Sequence, residues 1–270
     1  MHFSKLVTAT LLLGFSAAPA AALQIPTHNV SLSEVIATVE KPFQFDRSGY
    51  PLLTTVRADF FQRSTIAAKK KEFRAEGQMY LKPATSAESL KFRFEYYRPT
   101  RQEIVCDGRT LWIYLPENRQ VILSDVAEFF APSRAGSGRE RGINFLQGLG
   151  RISKDFTIVF NRTMTDQAGN YILDLTPTRA SATIEKLFIT VSREAVERRT
   201  GTRPLPGPPP AREPQLMPFP ILATTVVDHD GNSTTMEFSN AVTNSMVSDM
   251  VFRFDVPPDA QVVRPPGAQR

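Results

Sequence analysis

The stretch Leu90-Lys91-Phe92-Arg93-Phe94-Glu95-Tyr96-Tyr97 decides the fold. Leu90, Phe92, Phe94 and Tyr96 fall on one face, and Lys91, Arg93, Glu95 and Tyr97 on the other. A period of two is the pattern of a strand with one face on a core and one toward water. Pro99 closes the strand, because proline has no N–H to give to a ladder. Working outward, Arg101 to Cys106 reads as the next strand. Asp107-Gly108 is a hairpin turn signal, because both residues tolerate the positive φ a tight turn needs. Thr110 to Leu115 returns, and Pro116-Glu117-Asn118 turns the chain into Arg119 to Ser124. On the N-terminal side, Thr54 to Ile66 and Lys71 to Leu81 carry the same period.

The pattern changes at both ends of this block. Before it, Leu32, Val35, Ile36 and Val39 recur at helical spacing, with Ser31 or Ser33 as the cap and Pro42 as the stop. After it, Val126 to Ala131 and Ile143 to Leu149 read as two short helices. The Gly-, Ser- and Arg-rich segment Pro132 to Gly142 joins them. Strands resume at Phe156 to Asn161, Asn170 to Pro177, Ile184 to Ser192, Ile221 to Asp228, Ser233 to Ser239 and Met250 to Val256, with a second hairpin turn at Asp230-Gly231. Eleven or twelve short strands joined by hairpins predict a mainly β chain. The expected fold is a single curled antiparallel sheet forming an incomplete β-barrel, with short lid helices over a hydrophobic cavity. The chain has 270 residues, and no boundary divides it in two.

The first 22 residues form a separate element. Lys5 precedes an apolar run from Leu6 to Ala18. Small residues follow, and both Ala18-Pro19-Ala20 and Ala20-Ala21-Ala22 fit a signal-peptidase site. The run is too short to span a bilayer. Residues 1–22 are thus expected to be a cleaved signal, with no Cys nearby to carry a lipid. The folded domain is expected over 23–263 and a flexible tail over 264–270. Eight of the 21 prolines lie between Pro204 and Pro220, which predicts a semi-rigid loop insertion over 200–220. Basic residues exceed acidic ones by five. In an exported protein that charge suits anionic headgroups or an acidic partner better than nucleic acid.

Catalytic and metal constellations are missing from the sequence. There is no G-x-S-x-G, no H-E-x-x-H and no Walker loop. One Cys and three His exclude a Cys/His zinc module or a disulfide framework. His229 sits in Asp228-His229-Asp230-Gly231-Asn232, which reads as a polar hairpin tip rather than a metal site. Cys106 reads as a packed thiol. Lys69-Lys70-Lys71 caps a hairpin, and Arg193, Arg198, Arg199 and Arg203 lead into the proline loop. No enzyme, cofactor or metal is expected. What carries functional content is an apolar surplus: a curled sheet with one apolar face, whose helices either plug the barrel or cap a cavity and move. A cavity walled by Phe92, Phe94 and Tyr96 would suit acyl chains, although aromatic stripes more often form packed core.

The residues from Arg57 to Leu123 carry a family resemblance. Ala-Asp-Phe-Phe-Gln at 58–62, Glu-Gly-Gln-Met-Tyr-Leu-Lys-Pro at 76–83 and the stretch Phe92 to Val121 resemble the LolA family of periplasmic lipoprotein carriers. The motif comprises the aromatic pair Phe92 and Phe94, Pro99, and then Ile104, Val105, Asp107, Gly108, Leu111, Trp112 and Tyr114. The resemblance implies a half-barrel whose cavity takes the acyl chains of a lipoprotein. It implies receipt of that cargo from an inner-membrane lipoprotein-releasing ABC transporter and delivery to an outer-membrane lipoprotein acceptor, by a periplasmic monomer. It places Met79, Leu81, Phe92, Phe94, Tyr96, Trp112 and Tyr114 at the acyl site, and Phe129, Phe130, Ile143, Phe145, Leu146 and Leu149 on the lids. Familiar members place an Arg before the Pro of the second strand, where it latches the lid. Lys82 stands there in this sequence, so Lys82 or Arg93 is the expected latch, or the latch is absent. The segment Ala84 to Ser89 looks inserted. A carrier of glycolipid or another amphiphile, and a sensory module on the same half-barrel, remain open beside the lipoprotein shuttle.

Overall fold

In a computed structural model, residues 30–125, 148–181, 184–202 and 217–264 are described. The expected signal, the lid segments up to Leu146 and most of the proline-rich loop lie outside them.

The chain enters through α1 (Leu32–Glu40). Ser31 caps it: its hydroxyl accepts from the Glu34 amide at 3.3 Å, and the Glu34 carboxylate takes the Ser31 amide at 2.7 Å. This reciprocal pair satisfies backbone donors that helix geometry leaves unpaired. Val35 and Val39, one turn apart, enter the core, and Pro42 sits in the 3₁₀ turn that follows.

Twelve strands then build one open sheet. They are β1 (Val56–Ile66), β2 (Lys71–Lys82), β3 (Lys91–Arg98), β4 (Gln102–Cys106), β5 (Thr110–Leu115), β6 (Gln120–Asp125), β7 (Phe156–Thr165), β8 (Tyr171–Pro177), β9 (Lys186–Val191), β10 (Ile221–Val227), β11 (Ser233–Thr243) and β12 (Gln261–Val263). The spatial order is β12-β6-β5-β4-β3-β2-β1-β11-β10-β9-β8-β7. The two meanders join where β1 pairs β11, with Phe60 opposite Phe238. Each neighbouring pair is antiparallel except β12 with β6, which is parallel. The sheet is mixed and not closed into a barrel, where sequence periodicity alone suggests an all-antiparallel one.

One face bears the core. Ala58 and Phe60 of β1, Met79 and Leu81 of β2, Phe92 and Phe94 of β3, Leu173 and Leu175 of β8, and Leu187 and Ile189 of β9 are all buried in a single cluster with α1. We call this the inner face. Gly77 shapes its centre. A Cβ there would collide with the Glu95 carbonyl oxygen and lie 2.8 Å from the Phe60 ring. Its bare backbone lets Phe60 reach Tyr96 (centroids 4.9 Å) and Phe94 (5.6 Å) across β2, both edge-on.

Three elements depart from the sequence expectations. Arg193–Thr200 forms a helix, α3, rather than a solvated approach to the proline loop. Ser192 caps it, Arg193–Glu197 (2.6 Å) and Arg198–Glu194 (2.7 Å) brace it, and Gly201 ends it at φ +73°. Its short apolar face, Ala195 and Val196, packs toward α1. Between the two helices in sequence lies α2 (Ile152–Asp155), whose Ser153 amide donates to the Glu40 carboxylate at the end of α1 at 2.7 Å.

The other two departures concern the C-terminus. Met250 to Val256 is not a strand. Asp249–Phe252 is a 3₁₀ turn, and the chain beyond it runs across the outer face. The segment from Ala260 is not wholly frayed either, because β12 adds to the sheet edge. This strap is tied down in the spatial order of the strands. Lys82 on β2 donates to Asp249 at 2.8 Å, and Arg93 on β3 donates to the carbonyls of Val251 (3.3 Å) and Arg253 (3.4 Å). Phe254 then lies against Trp112 (6.2 Å) and Tyr114 (5.7 Å) of β5. The strap has a strand-like pattern without being a strand, because its residues are fixed by a crossing over side chains and not by a ladder of their own.

Two outcomes are expected. Gly77→Ala should destabilise the protein by about 2–4 kcal/mol, because the obstacle is backbone and cannot rotate away; urea unfolding measures this as a lowered midpoint. Arg93→Met should loosen the strap and strand two carboxylates, at a cost of about 2 kcal/mol after allowing for partial exposure. Trp112 is the sole tryptophan, so its emission should shift to the red in that variant while the far-UV spectrum stays that of a β protein.

Candidate acyl-binding face

Strand alternation fixes which candidates meet. Val56, Ala58 and Phe60 of β1 stand opposite Leu81, Met79 and Gly77 of β2. Those in turn stand opposite Phe92, Phe94 and Tyr96 of β3. Phe94 and Phe92 then face Ile104 and Cys106 of β4, which face Ile113 and Leu111 of β5. Five predicted acyl-site residues, Met79, Leu81, Phe92, Phe94 and Tyr96, therefore share the inner face. Phe92 and Phe94 also touch each other edge-on at 5.9 Å.

Trp112 and Tyr114 do not join them. They pair with Val105 and Glu103, which alternate to the outer face, and there they cover Phe254 of the strap. The expectation that they line the acyl site is corrected by register: Leu111 and Ile113 hold the inner positions on β5. The latch candidates are corrected by the same rule. Lys82 and Arg93 alternate away from Phe92 and hold the C-terminal strap. Arg93 also donates its Nε to Glu95 and Nη2 to Glu103, each at 2.5 Å. Lys82 and Asp249 shift together: the hydrogen bond raises the lysine pKa and lowers the carboxyl pKa. Of the lid residues, Phe129, Phe130, Ile143, Phe145 and Leu146 lie outside the described residues. Leu149 is 1% exposed in the core cluster. Gly150 beside it accepts from Gln44 at 3.1 Å, which docks this turn on the loop after α1.

Burial is graded along the inner face. Next to α1, Met79, Leu81 and Phe92 are each 1% exposed, and Phe94 is 9% exposed. Toward the β1–β2 hairpin tip, Gln62, Ser64, Ala75 and Tyr96 are only partly buried. Ile158 and Phe160 of β7, Val226 of β10 and Met236 of β11 pack at the margin of the core in the same way. The part of this face near α1 is therefore filled, where the sequence predicts an open cavity. A cavity of about 430 Å³ lies instead beside the β3–β4 turn, lined by Glu95, Tyr96, Tyr97, Arg101, Gln102 and Glu103. Three of its lining side chains, Glu95, Arg101 and Glu103, are charged, unlike those of the inner face near α1.

Electrostatics agree with a dry inner face. Burial pushes the Tyr96 phenol up to about 12 and the Cys106 thiol likewise up to about 12. Tyr96 thus stays a hydrogen-bond donor, given to Gln62 at 2.9 Å. Cys106, packed among Phe92 and Leu111, stays an unreactive thiol. No cluster of three His, Cys, Asp or Glu suited to a metal occurs among the described residues. His229 lies at a hairpin tip with its Nε2 2.6 Å from the Ser181 carbonyl. Sequence reasoning missed Phe60 and Phe238. Phe60 follows from the β1 alternation. Phe238 becomes a neighbour only through the β1–β11 pairing, which no local pattern encodes.

Comparison with known proteins supplies the family. Residues 52–200 match the family model described as outer membrane lipoprotein carrier protein LolA. An outer-membrane lipoprotein carrier protein of Methylobacillus flagellatus is 23% identical over 210 residues, covering 78% of this chain and 82% of that protein. One from Chromobacterium violaceum is 43% identical over 67 residues, 25% of this chain and 29% of that one. A conserved Thermus thermophilus protein of known structure aligns over 86% of this chain and 98% of its own, at 14% identity and a TM-score of 0.45. The matched span runs from Leu52 to the end of α3 and takes in the whole aromatic centre of the inner face, and on that match the chain belongs to the LolA family.

Proposed function

We propose that this chain is a periplasmic, non-enzymatic carrier that holds acyl chains against its inner face and moves a lipoprotein from the inner to the outer membrane. The observation that carries the reading is the graded inner face: an aromatic centre of Phe60, Phe92, Phe94 and Tyr96 with the half-buried apolar side chains Ile158, Phe160, Val226 and Met236 at the margin of the same core. A sheet built only for stability would close that face along its whole length. Family membership and the names of the two curated relatives support lipoprotein as the cargo. The signal-like segment 1–22 supports export. On this reading the donor is an inner-membrane lipoprotein-releasing ABC transporter, the recipient an outer-membrane acceptor, and the chain acts as a monomer.

The buried face sets the energetics. Each methylene taken from water contributes about 0.8 kcal/mol. Because Phe92 and its neighbours are already covered, cargo must exchange for existing apolar contacts. Part of the gain is therefore offset, which favours release. The lid segments 126–131 and 143–149 are the proposed exchangeable cover.

The test is organic extraction and mass spectrometry of the protein purified from its periplasm. Acylated protein or acyl lipid should co-purify with the wild type and with Phe94→Leu, and be lost from Phe94→Glu. If Phe94→Glu fails to fold, the half-exposed Met236→Glu takes its place. A folded glutamate variant that retains undiminished acyl cargo would falsify the reading, and glycolipid alone in the extract would reassign the cargo.

A further inference from the structure

Across the inner faces of β3, β1 and β11, at the margin of the buried cluster, runs a connected line of polar side chains. Tyr96 donates to Gln62 Oε1 at 2.9 Å, Gln62 Nε2 donates to Ser64 at 3.1 Å, and Ser64 meets the Thr234 hydroxyl at 3.2 Å. The line crosses from β3 over β2 to β1 and on to β11. It can do so because β2 offers only Gly77 and Ala75 at that level. It lies where burial runs out: Phe60 and Phe94 are buried on one side of it, while Gln62 and Ser64 are half-buried and Thr234 is exposed.

Its chemistry is specific. All four groups are uncharged, since burial keeps the Tyr96 phenol protonated. Gln62 uses one of its two Nε2 hydrogens within the line, and no second partner for that amide occurs among the described residues. The Ser64–Thr234 pair likewise keeps one hydroxyl proton for another acceptor. Neutral donors of this kind suit a carbonyl oxygen. A carboxylate or phosphate would call for Arg or Lys, and Lys71 on β2 sits over Phe73 at the hairpin tip instead of in the line.

We propose that Gln62, positioned by the Tyr96 hydroxyl, and the Ser64–Thr234 pair read the carbonyl of a fatty-acyl ester or amide whose chain lies against Phe60 and Phe94, so that they fix the depth of the chain and select acyl-linked ligands over plain alkyl ones. The inference rests on acyl binding at the inner face and adds its polar register. An acyl chain with no carbonyl at this level would leave the line's donors facing hydrocarbon, and a site built to hydrogen-bond discriminates most strongly against such a ligand.

The experiment is displacement of a fluorescent apolar probe, anilinonaphthalene sulfonate, from the full chain by two matched ligands. These are 1-lauroylglycerol, an ester, and 1-dodecylglycerol, the ether that lacks its carbonyl. The wild type should favour the ester about five- to tenfold. Gln62→Leu, at a half-exposed site, should bring the ratio near one while keeping ether affinity. Ser64→Ala with Thr234→Val should do the same in part. Equal affinity for ester and ether in the wild type overturns the proposal, as does a preference that survives both variants. Failure of both ligands to displace the probe overturns acyl binding itself, and this proposal with it.

Discussion

The alternation of side chains along β3 is the constraint on which the remaining structure depends. A strand must send neighbours to opposite faces. Phe92, Phe94 and Tyr96 therefore meet the inner face, while Arg93 and Glu95 meet the outer one. Both faces then need cover, and the chain solves the two problems differently. On the inner face, α1 and the Leu149–Asp155 turn contribute apolar side chains to the core. On the outer face, Arg93 recruits the backbone of a C-terminal strap, and the strap brings Phe254 onto Trp112 and Tyr114. A register slip of one residue would exchange the faces and lose both arrangements at once.

The same constraint explains why much of the fold could be read from sequence. Period-two runs and the Asp107-Gly108 and Asp230-Gly231 turns are local signals, and they locate β1 to β6 and β7 to β11 within a few residues. The sequence reading failed where the cause was not local. β12 has three residues and owes its place to β6. Met250 to Val256 looks strand-like because its apolar residues answer to the outer face of other strands. The helix Arg193–Thr200 had legible signals in Ser192, Glu194 and Gly201, but its surplus of arginines reads as a solvated cluster when helix spacing is not tested.

The candidate site divides along the same line. The aromatic pair with Met79 and Leu81 was legible because each residue lies on a strand whose phase is clear. Trp112 and Tyr114 were assigned by motif, and motif carries no phase; counting from Cys106 through the hairpin to Leu111 puts them on the far side. The family resemblance alone makes Lys82 and Arg93 partners for a lid. Beside the nearby carboxylates Glu95 and Glu103, their partners include backbone carbonyls and Asp249, more than 150 residues away in sequence, and such pairings appear only once the strap is placed. Phe60 owes its contacts with Phe94 and Tyr96 to a side chain that is missing, that of Gly77.

A carrier on this plan works with a small difference between large quantities. Removing a sixteen-carbon chain from water is worth roughly 12 kcal/mol at ~0.8 kcal/mol per methylene, but a bilayer offers almost the same. Apolar contact with Phe60, Phe94 and their neighbours therefore cannot by itself distinguish one acyl molecule from another, nor the protein from the membrane. A few polar groups, each contributing on the order of 1 kcal/mol, are then enough to tip the balance. On the proposed function, that is the use of a hydrogen-bonded line at the margin of the apolar core. Gln62, Ser64, Thr234 and Tyr96 add little to stability at the margin of the core. On the proposed reading, Gln62 and the Ser64–Thr234 pair, with Tyr96 holding Gln62, stand where an acyl chain joins its carrier molecule, and so set which chains are held and how far in they go.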